Sequence, residues 1–154
     1  ESQPLGLAMA AQDATQQVRG MLGPEHAALA KRLAKARDEA RETQKRCTAL
    51  AGTFKGKKTA ILESARETKQ EATEMREAYL GGEDNPLDGY EFLTMAEAGE
   101  VGHWAIVETM NKKANVPGLR EVVRWVKPIQ KRHFDETMKG SLQLANEEDP
   151  NEPA

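Results

Sequence analysis

The chain has 154 residues, of which 31% are charged and 38% hydrophobic, and its net charge is −3. That length fits one domain with a sizeable core, and a single cysteine excludes an intrachain disulfide. The negative balance argues against general nucleic-acid binding, and no apolar run approaches the roughly 20 residues that a membrane-spanning helix needs.

Five helices are predicted, because apolar residues recur every three or four positions and no alternating β-branched run indicates a strand. Glycine and proline mark the breaks between them. The predicted helices run from Leu5 to Met21, from Pro24 to about Ala51, from Thr59 to Leu80, from an N-cap at Asp88 to about Lys113, and from Pro117 or Gly118 to about Ala145.

The third predicted helix has a thin apolar stripe and an opposite face that is almost entirely charged, so we expect it on the outside of a bundle. Short loops between long helices favour antiparallel neighbours. The sequence therefore predicts one all-α domain over residues 1–145. Residues 146–154 form an acidic, proline-containing tail that we expect to be mobile.

A carboxylate and an imidazole share one face of the fourth helix. Glu100 and His103 lie three residues apart on the stripe Ala96, Glu100, His103, Val107 and Met110. Burying both is costly unless they are satisfied, and either a metal ion or a mutual salt link would satisfy them.

The last helix repeats this spacing with Gln130 and His133 on an apolar stripe. Two inward-facing histidines, each with an oxygen-bearing partner three positions earlier, indicate half of a di-metal site between helices. Glu97 and Glu108 fall on a neighbouring stripe of the fourth helix, where either could supply a further carboxylate, although a solvated role is favoured. Pro128 predicts a kink close to Gln130.

Four long helices with Glu-x-x-His on an inner face resemble the ferritin-like superfamily, and within it the YciE/YciF family of stress-associated bacterial bundle proteins. The resemblance covers roughly residues 5–145 and is strongest in the run Met95–Trp104 and in the last helix. It implies a ferritin-like antiparallel four-helix bundle with an extra peripheral helix. It also implies a homodimer and a di-iron site.

The ligand set of that family is two Glu-x-x-His pairs plus one carboxylate from each remaining helix. The residues that match it, wholly or in part, are Glu39, Glu42, Glu100, His103, Gln130 and His133. Gln130 stands where a bridging glutamate is wanted, Glu39 and Glu42 have the spacing without a histidine, and the first helix has no glutamate. This set is short of negative charge for two iron ions.

The resemblance therefore implies iron or another divalent metal, at a di-iron or a single-metal site, with oxygen or peroxide chemistry in a stress response. In that case His103 and His133 would be terminal ligands and Glu100 a bridging or terminal one. The alternative is a non-enzymatic structural or interaction bundle with a degenerate site. A chain that begins at Glu1 is compatible with removal of a signal peptide. A cytoplasmic location is favoured, and an exported protein is the alternative.

Overall fold

The computed structural model describes residues 2–54, 56–82 and 84–152. Within them it is all-helical and contains no strand, which confirms the predicted class. The elements are α1 (Ser2–Arg19), a single 3-10 turn (Pro24–His26), α2 (Ala27–Ala51), α3 (Lys58–Leu80), α4 (Pro86–Ala114) and α5 (Pro117–Glu147).

Helix α4 begins earlier than predicted, because its N-cap is Asn85 rather than Asp88. The side chain of Asn85 accepts a hydrogen bond from the backbone N–H of Leu87 at 2.9 Å, and Pro86 supplies a first helical residue that needs no N–H partner. The prediction of Asp88 as the cap was wrong. Its carboxylate lies in the first turn instead, where it interacts favourably with the helix dipole.

The turn from α4 to α5 is fixed by one buried side chain. Asn111 donates from Nδ2 to the carbonyl of Val116 at 3.1 Å and accepts from the Val116 N–H at 3.0 Å. Asn115 adopts the left-handed conformation with φ 55°, which asparagine tolerates better than most residues. The two helices that carry most of the predicted ligands are therefore joined by a well-defined turn.

The helices are arranged around a closed ring of contacts. Helix α1 packs against α2 and α4, and α5 packs against those same two helices, while α3 lies mainly on α1. Among the described residues of α3 only Ala65 and Leu80 are buried. The approach of α3 to α1 is close, since a Cβ on Gly6 would lie 2.4 Å from the carbonyl oxygen of Ala65.

The buried apolar residues form two clusters. One surrounds Trp104 and includes Val107 and Val126, and the other surrounds Tyr90 and includes Leu93 and Leu144. Along both α4 and α5, the sequence between the two clusters contains buried polar side chains. The interior is therefore divided by a polar layer.

None of the helices in the described part of the chain is long and apolar enough to span a bilayer. Helix α5 continues past Ala145 to Glu147, whose Oε2 lies 2.6 Å from Nε2 of His26. Residues 153 and 154 of the predicted tail lie outside the described residues. The domain limits and the mobility of the tail stay predictions.

Candidate metal centre

The polar layer is built by two facing pairs of side chains. Glu97 and Glu100 come from α4, and Gln130 and His133 come from α5, and the members of each pair are three positions apart in the sequence. Their exposed fractions are only 2% to 5%. Spacing of three residues places each pair on one helix face, so the contact between α4 and α5 brings four polar side chains into the interior.

His133 is held between two carboxylates. Its Nε2 lies 3.1 Å from Oε1 of Glu39 on α2, and its Nδ1 lies 3.7 Å from Oε2 of Glu97. The first separation is a hydrogen bond, whereas the second is too long for one. Burial lowers the pKa of His133, and the hydrogen bond with Glu39 opposes that shift.

The two carboxyl groups that α4 contributes to the layer are buried without a cation beside them. Burial raises the pKa of Glu97 to about 8. The pKa of Glu100 lies well above its usual range because of burial and the nearby charge of Glu97, against the effect of a side-chain hydrogen bond with Gln130. Burial therefore favours the protonated, neutral form of both carboxyl groups, because an uncompensated buried charge is costly.

Two oxygen atoms of this layer have no hydrogen-bond partner among the described residues. They are Oε2 of Glu97 and Oε1 of Gln130. A buried acceptor left unpaired costs about 1–3 kcal/mol, and it often marks a place where a water or an ion binds. These two oxygens are the acceptors of the layer that the fold leaves unpaired, and Nδ1 of His133 lies 3.7 Å from the first of them.

Glu39 lies at the edge of the layer in an ionised state. Its partial burial would raise its pKa, but hydrogen bonds from Arg132 and His133 hold the pKa below its usual value. Arg132 donates to the same oxygen that His133 contacts, and its Nε lies 3.7 Å from Glu136. Glu39 is therefore already paired with two side chains of α5.

The fold brings together only part of the predicted ligand set. Glu100, Gln130 and His133 meet in the layer, with Glu39 beside them. His103 is half-buried, has its pKa lowered by burial, and lines a groove between α1, α3 and α4. Glu42 is paired with Arg46 at 3.0 Å on a solvent-accessible face of α2.

Glu97 is the buried carboxylate that the sequence interpretation undervalued. The prediction that Glu97 is solvated was wrong, because the residue is 4% exposed and lies on the buried face with Glu100 and Trp104. The available signal was its spacing of three residues from Glu100, the same spacing that singled out His103. The stripe through His103 also ends on Met110, which is 66% exposed.

Within the described residues, no three His, Cys, Asp or Glu side chains are already gathered as a metal-binding group. The geometry of His133 gives the reason, since Glu39 and Glu97 approach opposite nitrogens of its ring. The side chains of the layer are nevertheless compatible with one divalent ion, because imidazole suits transition metals and carboxylate and amide oxygens are common ligands.

Comparisons with protein-family models, with curated proteins and with solved structures found no match to this chain.

Proposed function

We propose that this protein is a ferritin-like helical bundle that binds one divalent metal ion, with iron as the first candidate, between α4 and α5. The ring formed by α1, α2, α5 and α4, with α3 outside it on α1, supports an antiparallel four-helix bundle with a peripheral helix. The homodimer implied by the resemblance belongs to the same proposal, and sedimentation equilibrium of the purified chain tests it.

The observation that carries the proposal is the position of His133 relative to Glu97. Their facing atoms are 3.7 Å apart. Two ligand atoms bound at about 2.1 Å in a tetrahedral site are separated by roughly 3.4 Å, so a small shift would bring both into contact with one ion. The other ring nitrogen contacts Glu39, an arrangement that orients metal-binding histidines in many proteins.

In this proposal the ligands are Glu97, Glu100, Nδ1 of His133 and Oε1 of Gln130, and Glu39 positions the imidazole. The two carboxyl groups must lose their protons when metal binds. The apolar clusters on both sides of the layer limit the access of water. A bound iron ion would supply the capacity to reduce oxygen or peroxide, in keeping with the implied stress role.

A purely structural bundle is the second candidate, and the pairing of Glu39 favours it. Glu39 joins α2 to Arg132 and His133 of α5 without any metal. Buried polar networks of this kind can fix how helices align. On that account the layer specifies the packing of the bundle, and the function lies in its partners.

Iron loading separates the two candidates. The full chain is loaded anaerobically with ferrous iron, desalted and analysed for metal, beside the variants Glu97→Gln and His133→Ala. About one iron per chain in the wild type, lost in both variants, supports the proposed site. Glu97→Gln preserves the shape of the side chain, and circular dichroism verifies that each variant is folded.

Two matched controls define the site further. Glu42→Gln removes a carboxylate outside the layer, and His103→Ala removes the predicted histidine that lines the groove. Both should retain the wild-type iron content. Loss of iron in His103→Ala would favour the ligand set implied by the resemblance. A wild-type chain that retains no iron would favour the structural bundle.

A further inference from the structure

An open groove lies between α3 and α4, which make few contacts with each other, and residues of α1 also line it. Its volume is about 460 Å³, within the range of small-molecule binding sites. Small residues create the space: α1 contributes Ala10, Ala11 and Ala14, and α4 contributes Gly99. Glu100 of the polar layer lines this groove, whereas Glu97 and His133 do not.

The sides of the groove are apolar and exposed. Met75 and Tyr79 on α3 are 59% and 61% exposed, and Met95 on α4 is 53% exposed. Large apolar side chains grouped around one concavity are typical of a surface that binds an apolar ligand. An alkyl chain seated there would remove all three from water.

One cation faces this apolar groove without an ion-pair partner in the described part of the chain. Arg76 is half-buried and lines the groove, and its Nε is buried with no hydrogen-bond partner. The acidic residues that line the groove are Glu71, which is exposed to solvent, and Glu100, which is buried in the polar layer. His103, which is half-buried, lines the groove as well.

An anionic head group would satisfy Arg76. A carboxylate accepts two parallel hydrogen bonds from a guanidinium and forms one of the stronger side-chain interactions. From Thr68 to Tyr79 the groove follows α3 for roughly 16 Å. That length suits an extended alkyl chain whose head group lies at Arg76.

We propose that this groove binds a single-chain carboxylate amphiphile of the fatty-acid class, with its chain between α3 and α4 and its head group on Arg76. Glu100 lines the groove and is also a ligand in the proposed metal centre. The groove is therefore tested on the full chain after treatment with a metal chelator, so that no bound metal affects the result.

The test titrates dodecanoate, below its micelle concentration, into the chain by calorimetry. Gly99→Leu should raise the Kd at least tenfold, because a Cβ at Gly99 meets nothing within 4 Å and the added side chain would extend into the groove. Gly102→Leu is the matched control, since Gly102 has equally open surroundings within the same helix but does not line the groove. It should leave the Kd unchanged.

Arg76→Gln tests the head group. It should weaken dodecanoate at least tenfold and leave dodecanol binding unchanged. The proposal is overturned if dodecanoate shows no saturable binding, if Gly99→Leu and Gly102→Leu bind it equally, or if Arg76→Gln has no effect. It is also overturned if sedimentation shows that Gly99→Leu dissociates a dimer, since the occupant would then be a second copy of the chain.

Discussion

His133 on α5 and Glu39 on α2 are joined by a hydrogen bond of 3.1 Å between Nε2 and Oε1. With the proton on Nε2, the imidazole donates to an ionised carboxylate and presents an unprotonated Nδ1 towards Glu97. Arg132 keeps Glu39 ionised by donating to the same oxygen. The contact between α2 and α5 therefore sets the orientation of the histidine within the polar layer.

Glu39→Gln should destabilise the metal-free protein by about 1–3 kcal/mol. The substitution weakens a charged hydrogen bond to a buried imidazole and removes the anion beside Arg132. The free energy of unfolding, measured by urea titration, tests this. Glu42→Gln is the control, because Glu42 has only a solvent-accessible pair with Arg46 and should cost no more than about 0.5 kcal/mol. Equal losses in the two variants would show that the contact with His133 contributes no stability.

The raised pKa of Glu97 predicts that metal-free stability falls at alkaline pH. Folding favours the protonated carboxyl group of Glu97. The resulting stabilisation of the folded state is therefore complete below the ordinary pKa of 4.5 and is lost as pH rises through about 8. Between about pH 7 and pH 9, Glu97 alone should reduce the free energy of unfolding by about 1 kcal/mol. The titration of His133 does not change stability in this pH interval, because burial lowers its pKa from the ordinary value of 6.5.

Glu97→Gln provides the comparison for that pH series. The neutral amide should give a smaller fall in stability over the same interval, as measured by urea unfolding at each pH. Glu108→Gln, at a site where Lys127 lowers the pKa of the carboxyl, should retain the wild-type slope. A slope that does not change in Glu97→Gln would mean that Glu97 is already ionised at neutral pH.

The buried face of α4 shows where sequence reasoning reached its limit. Glycine and proline breaks and apolar spacing sufficed to predict five helices. However, α4 has large apolar residues on several sides, including Trp104, Ile106 and Met110, and periodicity then selects no unique face. Packing decides it: Trp104 is 2% exposed, whereas Ile106 and Met110 are 56% and 66% exposed. The rotation of α4 about its own axis that results from this packing buries Glu97 and places His103 in the groove.

The candidate site was predictable to the extent that single-helix spacing determines it. Glu100, Gln130 and His133 follow from apolar stripes on two helices. The roles of Glu39 and Arg132 depend on how α2 meets α5, at a sequence separation of more than ninety residues. No periodicity within one helix contains that information.

Asn85→Ala should reduce the free energy of unfolding by about 1 kcal/mol, since it removes the side chain that caps α4. Asp88→Asn removes only a first-turn charge and should cost less, about 0.3–1 kcal/mol. Chemical denaturation of both variants tests the reassignment of the cap. A larger loss at Asp88 would restore the sequence-based start of the helix.

Two glycine substitutions in helices should have opposite effects on stability. A Cβ on Gly140 would lie 2.3 Å from Cε1 of Tyr90, a ring that is 1% exposed and fixed in the second apolar cluster. Gly140→Ala should therefore destabilise by about 1–3 kcal/mol through overpacking. Gly102→Ala meets no atom within 4 Å and should stabilise by up to about 1 kcal/mol through helix propensity. Thermal and urea unfolding of the pair measure the difference, and stabilisation by both would mean that Tyr90 can move away from α5.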